Sequence, residues 1–203
     1  FGGDAGNVTV FGQSVGGFDI AQLMAMPSAK GCFDKAVPMS GSLIPAVPAA
    51  EAAETAAKFA ERFGCLDKLR NVQAQDILDF QVELTGGGLG SEVQFGPVLD
   101  GEVIPDDAAV GIGDGSNTKG MPLLIGNTRE ESALFNAANP ELAALDETGL
   151  KARAATIFGD RGDAVVEAYQ KARTGRGWDA SPIATLNAMM TDQMFRLPGI
   201  RTA

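Results

Sequence analysis

A chain of 203 residues, of which 45% are hydrophobic, is long enough to bury a core and is expected to form one domain. Its net charge of −10, from 16 basic and 26 acidic residues, argues against a broad cationic surface for nucleic acid or anionic lipid. No apolar run approaches the roughly 18 residues that a membrane span needs, and the sequence contains 0 histidines, the commonest general base and metal ligand.

The first part of the chain predicts a strand, a tight turn and a helix, followed by a second strand. Residues 7–11 (NVTVF) are β-branched and aromatic and predict a buried strand. Ile20, Leu23 and Met24 follow with helical spacing. Residues 35–39 (KAVPM) predict the second strand, with Pro38 suited to a strand end.

Helices dominate the rest of the prediction. One covers residues 51–63 and stops at Gly64, and its predicted buried face holds Ala53, Ala56, Ala57, Ala60 and Phe63. A second covers residues 74–84 and leads into a flexible glycine loop at Gly86, Gly87, Gly88 and Gly90. Residues 93–120 are predicted to be mostly loop, 122–126 a third buried strand, and 142–158, 163–173 and 182–195 helical. Alternation of strands and helices favours an α/β sheet.

Residues 12–16 form the pattern Gly-x-Ser-x-Gly between the predicted strand and helix, which is the context of a nucleophile elbow. In such a turn Ser14 is held at positive φ so that its hydroxyl projects above the sheet. Gly12 and Gly16 are expected because side chains there would strike the neighbouring strand and helix. The amide of Val15, at the positive end of the helix, is predicted to donate to the oxygen that becomes negative during acyl transfer.

Two other interpretations of this pattern compete with the elbow. Chance occurrence is common in a chain with 26 glycines, although the flanking strand and helix favour function. A dinucleotide-binding turn requires an acidic residue at the end of the next strand, where this sequence has Met39-Ser40-Gly41. The dinucleotide interpretation therefore fails.

The motif extends beyond the elbow. Residues 1–17 (FGGDAGNVTVFGQSVGG) resemble the elbow signature of the type-B carboxylesterases, which include cholinesterases and bacterial para-nitrobenzyl esterases. The resemblance continues in the same order through residues 36–42, 95–101, 122–131 and 191–198. It covers nearly the whole chain.

This resemblance implies an α/β-hydrolase fold with a mostly parallel central sheet and flanking helices, residues 1–203 forming part of the catalytic domain. It implies a carboxylic ester hydrolase that uses a Ser-Glu-His triad and an acyl-serine intermediate, with Ser14 as nucleophile and Glu131 as acid. Ser40 corresponds to a family serine near the acid, although an ordinary strand-end serine is an equally good interpretation. The implied partner is a small-molecule ester, with no cofactor, no metal, no nucleic acid and no membrane insertion.

Two family elements have no counterpart in these residues, the upstream glycine-rich oxyanion loop and the downstream histidine. The chain is therefore interpreted as a fragment that is inactive alone. Cys65 matches a cysteine that is disulfide-bonded in secreted members, but its partner position holds Lys68, which favours a reduced, cytoplasmic compartment and leaves secretion open. A non-catalytic cholinesterase-like binding protein, and a lipase, amidase or acyltransferase on the same fold, remain alternatives.

Overall fold

The computed structural model describes residues 2–86, 95–137 and 139–203, apart from the side chain of Leu66. Most of the predicted glycine loop (Gly87, Gly88 and Gly90) lies outside the described residues. The chain separates into two compact units. The first comprises Phe1–Ala21, Phe33–Leu43 and Gly120–Ala203, and the second comprises Gln22–Cys32 and Ile44–Lys119.

The strands are β1 (Thr9–Gln13), β2 (Lys35–Met39), β3 (Val47–Pro48) and β4 (Val98–Leu99). The helices, in chain order, are α1 (Val15–Ala25), α2 (Ala49–Phe63), α3 (Leu66–Leu69), α4 (Ala74–Thr85), α5 (Ala108–Gly113), α6 (Glu131–Asn136), α7 (Pro140–Ala143), α8 (Glu147–Phe158), α9 (Gly162–Thr174), α10 (Pro182–Thr191) and α11 (Leu197–Thr202). Short 3-10 turns occupy Pro27–Ala29 and Gly159–Arg161, and a π-helical turn, Asp192–Arg196, joins α10 to α11. No helix among the described residues is long and apolar enough to span a bilayer.

The sheet of the first unit is parallel. β1 and β2 pair from Thr9 opposite Lys35 to Gln13 opposite Met39. The predicted third strand, residues 122–126, is present as two single parallel bridges, Leu123 to Ala36 and Gly126 to Met39. Its predicted burial is wrong, because Leu124 is 70% exposed. Since the three segments run in the same direction, their carboxyl ends meet at one edge. The residues that follow those ends are Ser14, Ser40 and Asn127.

The prediction that the first strand is buried is wrong for this chain. The side chain of Phe11 is 75% exposed, and β1 alternates between exposed and half-buried residues. In the described part of the chain β1 pairs only with β2, so its other edge has no neighbouring strand. A strand is buried by neighbours on both sides and by layers above and below it, and sequence pattern alone cannot supply these.

The core of the first unit is helical. It is a cluster of buried side chains from α7 to α10, namely Leu142, Leu150, Ala154, Val166, Leu186 and Met189. The predicted segment 142–158 is divided between α7 and α8, because the Asp146 carboxylate caps α8 by accepting from the Gly149 amide at 2.8 Å. This core supports the helix α10, against which the start of α6 is held.

In the second unit, the two helices predicted over 51–63 and 74–84 are confirmed as α2 and α4. The predicted buried face of α2 is partly wrong, because Ala53 and Ala57 are exposed while Phe59 is buried. The Phe59 ring packs edge-on against the Phe80 ring, with centroids 4.9 Å apart. Burying an aromatic ring removes more apolar surface from water than burying an alanine methyl group. The side of α2 that carries Phe59 therefore faces the core.

The segment 93–120 also differs from its prediction. It holds the short strand β4, as expected of an extended piece, but also the helix α5, which the sequence did not predict. Asp107 caps α5 by accepting from the Ala109 amide. Cys32 and Cys65, both in this unit, are exposed and unbonded.

Candidate active site

Ser14 occupies the turn between β1 and α1 and has a φ of 55°. Its amide donates to the Met39 carbonyl at 2.9 Å, and its carbonyl accepts from the amides of Gly17 at 2.8 Å and Phe18 at 3.1 Å. A non-glycine residue in the left-handed region costs roughly 1–3 kcal/mol and persists only where its surroundings fix it. Here hydrogen bonds on both sides of the turn fix the serine in that conformation.

Close backbone contacts surround this turn. A Cβ on Gly12 would lie 2.5 Å from the Gly16 carbonyl oxygen, and a Cβ on Gly17 would lie 3.0 Å from the Gly41 Cα. A Cβ on Gly41 would overlap the Ser14 carbonyl oxygen. Glycine at these positions lets β1, the loop after β2 and α1 approach one another at the elbow.

The expectation for Gly16 itself is wrong. Beyond its chain neighbours and the nearby backbone of α1, a Cβ there would meet no atom of the described residues within 4 Å, so the close packing involves the Gly16 backbone. Sequence reasoning also missed Gly17 and Gly41. The signal that could have found Gly41 is a glycine two residues after the end of a parallel strand next to the elbow strand, where two backbones converge.

Val15 is the first residue of α1, and its side chain is 67% exposed. The first amides of a helix have no carbonyl partner within the helix. The helix dipole adds partial positive charge at this end. The Val15 amide is therefore available to an external acceptor beside the Ser14 side chain.

Glu131 is the first residue of α6, in the same unit as Ser14. Its Oε1 accepts from Ser40 Oγ at 2.7 Å and from the Thr128 amide at 2.5 Å. Among the described residues, no hydrogen bond involves its second oxygen, Oε2. The carboxylate is thus held in place through Oε1, while Oε2 can accept a hydrogen bond from another donor.

Ser40 links the acid to the sheet. Its φ is 51°, and its amide donates to the Gly126 carbonyl at 2.8 Å while its hydroxyl donates to Glu131. Met39, the residue before it, accepts from the Ser14 amide. Ser14 and Glu131 are therefore connected through two consecutive residues at the end of β2, without a direct hydrogen bond between them in the described chain.

The beginning of α6 is anchored by neighbouring helices. Glu130 Oε1 accepts from Arg173 Nη2 at 3.1 Å, and Arg173 Nε donates to the Asp179 carbonyl at 2.5 Å. The Arg173 side chain is only 8% exposed, so this pair is largely shielded from water. The Ser132 amide, one residue beyond Glu131, donates to Thr191 Oγ1 at 3.1 Å. No sequence pattern indicated Arg173, because its partner lies 43 residues away.

The hydroxyl of Ser40 should stabilise the fold through its hydrogen bond to Glu131. The positive φ of Ser40 should destabilise it. We expect Ser40→Ala to lower the free energy of unfolding by about 1–2 kcal/mol, because Glu131 loses a donor while the positive φ remains. Ser40→Gly should be less destabilising, since glycine adopts this φ without strain. Urea denaturation of the two variants measures the difference. Equal losses for alanine and glycine would contradict the expectation that strain is stored at Ser40.

No group of three or more cysteine, aspartate and glutamate side chains within residues 2–86, 95–137 and 139–203 is arranged to hold a metal ion. The chemistry that the arrangement supports is acid–base and nucleophilic. A hydroxyl on a strained strand-to-helix turn, a helix-start amide and an oriented carboxylate lie at one edge of a parallel sheet. These are the features of an α/β-hydrolase.

Comparison with known proteins identifies the class within that fold. The profile of the carboxylesterase family matches residues 1–203, and the chain belongs to that family. The chain is 43% identical over 141 residues to the para-nitrobenzyl esterase of Bacillus subtilis, an alignment covering 66% of this chain and 28% of that protein.

Solved structures agree with this assignment. A structure titled PNB esterase superimposes with a TM-score of 0.74 at 33% identity, covering 100% of this chain and 42% of that one. A carboxylesterase from Geobacillus stearothermophilus gives a TM-score of 0.78 at 28% identity, covering 100% of this chain and 41% of that one. The chain therefore spans less than half the length of these relatives.

Proposed function

We propose that a protein carrying this chain hydrolyses carboxylic esters of small molecules through an acyl-serine intermediate. The observation that carries the proposal is Ser14 at a φ of 55° between β1 and α1 in a chain of the carboxylesterase family. That conformation is the strained turn of a nucleophile elbow. The name of the Bacillus subtilis relative, a para-nitrobenzyl esterase, supports an ester as substrate.

In the proposed first half-reaction, Ser14 Oγ attacks the acyl carbon while a general base takes its proton. The carbonyl oxygen becomes negative, and the Val15 amide donates to it together with amides from outside these residues. The tetrahedral intermediate then expels the alcohol, which receives the proton from the base. Water repeats the sequence on the acyl-serine, releasing the carboxylic acid and restoring Ser14.

The proposed base is a histidine, which these 203 residues do not contain. Glu131 acts through that histidine by accepting its second N–H and holding the ring in one orientation. Glu131 Oε2 is the candidate acceptor, because Oε1 already receives two hydrogen bonds. Ser40 and Thr128 position the acid without touching the substrate.

Labelling with a fluorophosphonate tests the assignment of the nucleophile. In a full-length protein containing this chain, we expect a covalent adduct on Ser14, identified by mass spectrometry of the peptide. Ser14→Ala should abolish labelling, whereas Ser28→Ala, at an exposed serine of the second unit, should leave it unchanged. Absence of an adduct on Ser14 would instead favour a non-catalytic binding protein.

A further inference from the structure

A second group of functional side chains lies among α9, the loop after it and the π-helical turn. Four arginines contribute to the lining of one cavity of about 280 Å³, together with Tyr169, Trp178 and Asp192. The arginines are Arg129, Arg173, Arg176 and Arg196. Such a concentration of guanidinium groups is unexpected in a chain with a net charge of −10.

Two of these arginines are committed to structural partners. Arg173 is bound to Glu130 and to the Asp179 carbonyl, and Arg196 Nη1 contacts Asp192 Oδ1 at 2.5 Å. The Asp179 carboxylate accepts from the amide and hydroxyl of Ser181, which hold the pKa of Asp179 below its ordinary value. Nearby acidic groups are therefore already engaged.

The other two arginines retain unused donors. Arg129 approaches Glu130 only at 3.4 Å through Nε, and its side chain is 60% exposed. Arg176 donates to the Ala172 carbonyl at 3.1 Å and makes no ion pair with any described residue. A guanidinium has five N–H donors in a planar fork, so both side chains have donors available at the cavity.

Trp178 contacts both of these arginines. The Arg129 guanidinium carbon lies 4.7 Å from the Trp178 ring centroid, and that of Arg176 lies 5.4 Å from it. These two like charges line one cavity and repel each other, and cation–π contact with one ring offsets part of that repulsion. An anion between or beside them would offset it further.

We propose that this cavity binds a small oxyanion, with Arg129 and Arg176 as the principal donors. Carboxylates and phosphates share the geometry that a guanidinium recognises through paired N–H donors. Tyr169 is not a donor to the anion, because its hydroxyl already donates to Asp192 Oδ2 at 2.7 Å. Ser14 and Glu131 are not among the residues that line this cavity, and the proposal does not depend on ester hydrolysis.

The sequence supplies its own reporter, because Trp178 is the single tryptophan of the chain. Inorganic phosphate and acetate would be titrated separately into the 203-residue protein, with sodium chloride adjusted to keep ionic strength constant. We expect a saturable change in Trp178 fluorescence with at least one of the two anions. A stronger response to phosphate identifies a phosphoryl ligand, and a stronger response to acetate identifies a carboxylate.

Variants distinguish binding at the cavity from general screening of charge. Arg176→Gln and Arg129→Gln should each weaken the response about tenfold, as expected for loss of charged hydrogen bonds. Arg153→Gln, which removes the same charge from an exposed position on α8, should not change it. Far-UV circular dichroism of each variant verifies that the helices remain. A response that is linear, that chloride reproduces, or that Arg176→Gln leaves intact would overturn the proposal.

Discussion

The purified 203-residue chain is expected to hydrolyse p-nitrophenyl acetate no faster than its Ser14→Ala variant. A serine hydroxyl is a weak nucleophile until a positioned base removes its proton. The sequence has 0 histidines, and Glu131 is held by Ser40 and Thr128 at the end of the sheet. Loss of one member of a serine triad costs up to roughly a millionfold in turnover.

Spectrophotometric release of p-nitrophenol at neutral pH provides the measurement. Because the ester also hydrolyses in buffer, the comparison is with Ser14→Ala at equal concentration and not with zero. Turnover by the chain that Ser14→Ala abolishes would contradict the prediction. Such a result would mean that another side chain in these residues serves as the base.

Gly41→Ala is expected to destabilise the first unit by about 3 kcal/mol or more, near the upper end for overpacked positions. The added methyl group would overlap the Ser14 carbonyl oxygen and lie 2.9 Å from the Phe18 amide nitrogen. Both are backbone atoms, so no side-chain rotation can relieve the overlap. The elbow would have to move away from the loop after β2, with loss of the hydrogen bond from Ser14 to Met39.

Gly16→Ala is the matched control, because it adds the same methyl group two residues beyond Ser14, where the described residues outside the nearby backbone of α1 place no atom within 4 Å. It should be neutral or slightly stabilising, since alanine is favoured over glycine by about 1 kcal/mol inside a helix. Guanidinium denaturation followed by circular dichroism compares the two variants. Equal stability of Gly41→Ala and Gly16→Ala would show that the close approach at the elbow is not rigid.

The elbow illustrates what could be predicted locally. A β-branched run, the Gly-x-Ser-x-Gly pattern and helical spacing together predicted a strand, a turn and a helix, and the structure has them as β1, Ser14 and α1. The strand begins and ends two residues later than predicted, at Thr9 and Gln13. Such patterns arise from residues that are close together in the sequence, so they can be recognised without the tertiary structure.

The surroundings of Glu131 could not be predicted in this way. Its Ser40 contact joins residues 91 positions apart, and the pairing of Glu130 with Arg173 spans 43. The family resemblance pointed to Ser40 and Glu131, but neither Thr128 nor Arg173 carried a signal in the sequence. The Arg173 pairing depends on which helix packs against the start of α6, whereas the Thr128 contact is local.

The sequence by itself determined the order of the main elements, the position of the serine turn and membership of the carboxylesterase family. Only the tertiary structure decided three further points. Packing leaves no room for a methyl group at Gly41 but leaves room at Gly16, and it exposes Phe11 while burying Phe59 of α2. Local conformation follows from side chains a few residues apart. Burial and close approach follow from which distant segments meet, and that is settled by packing of the whole chain.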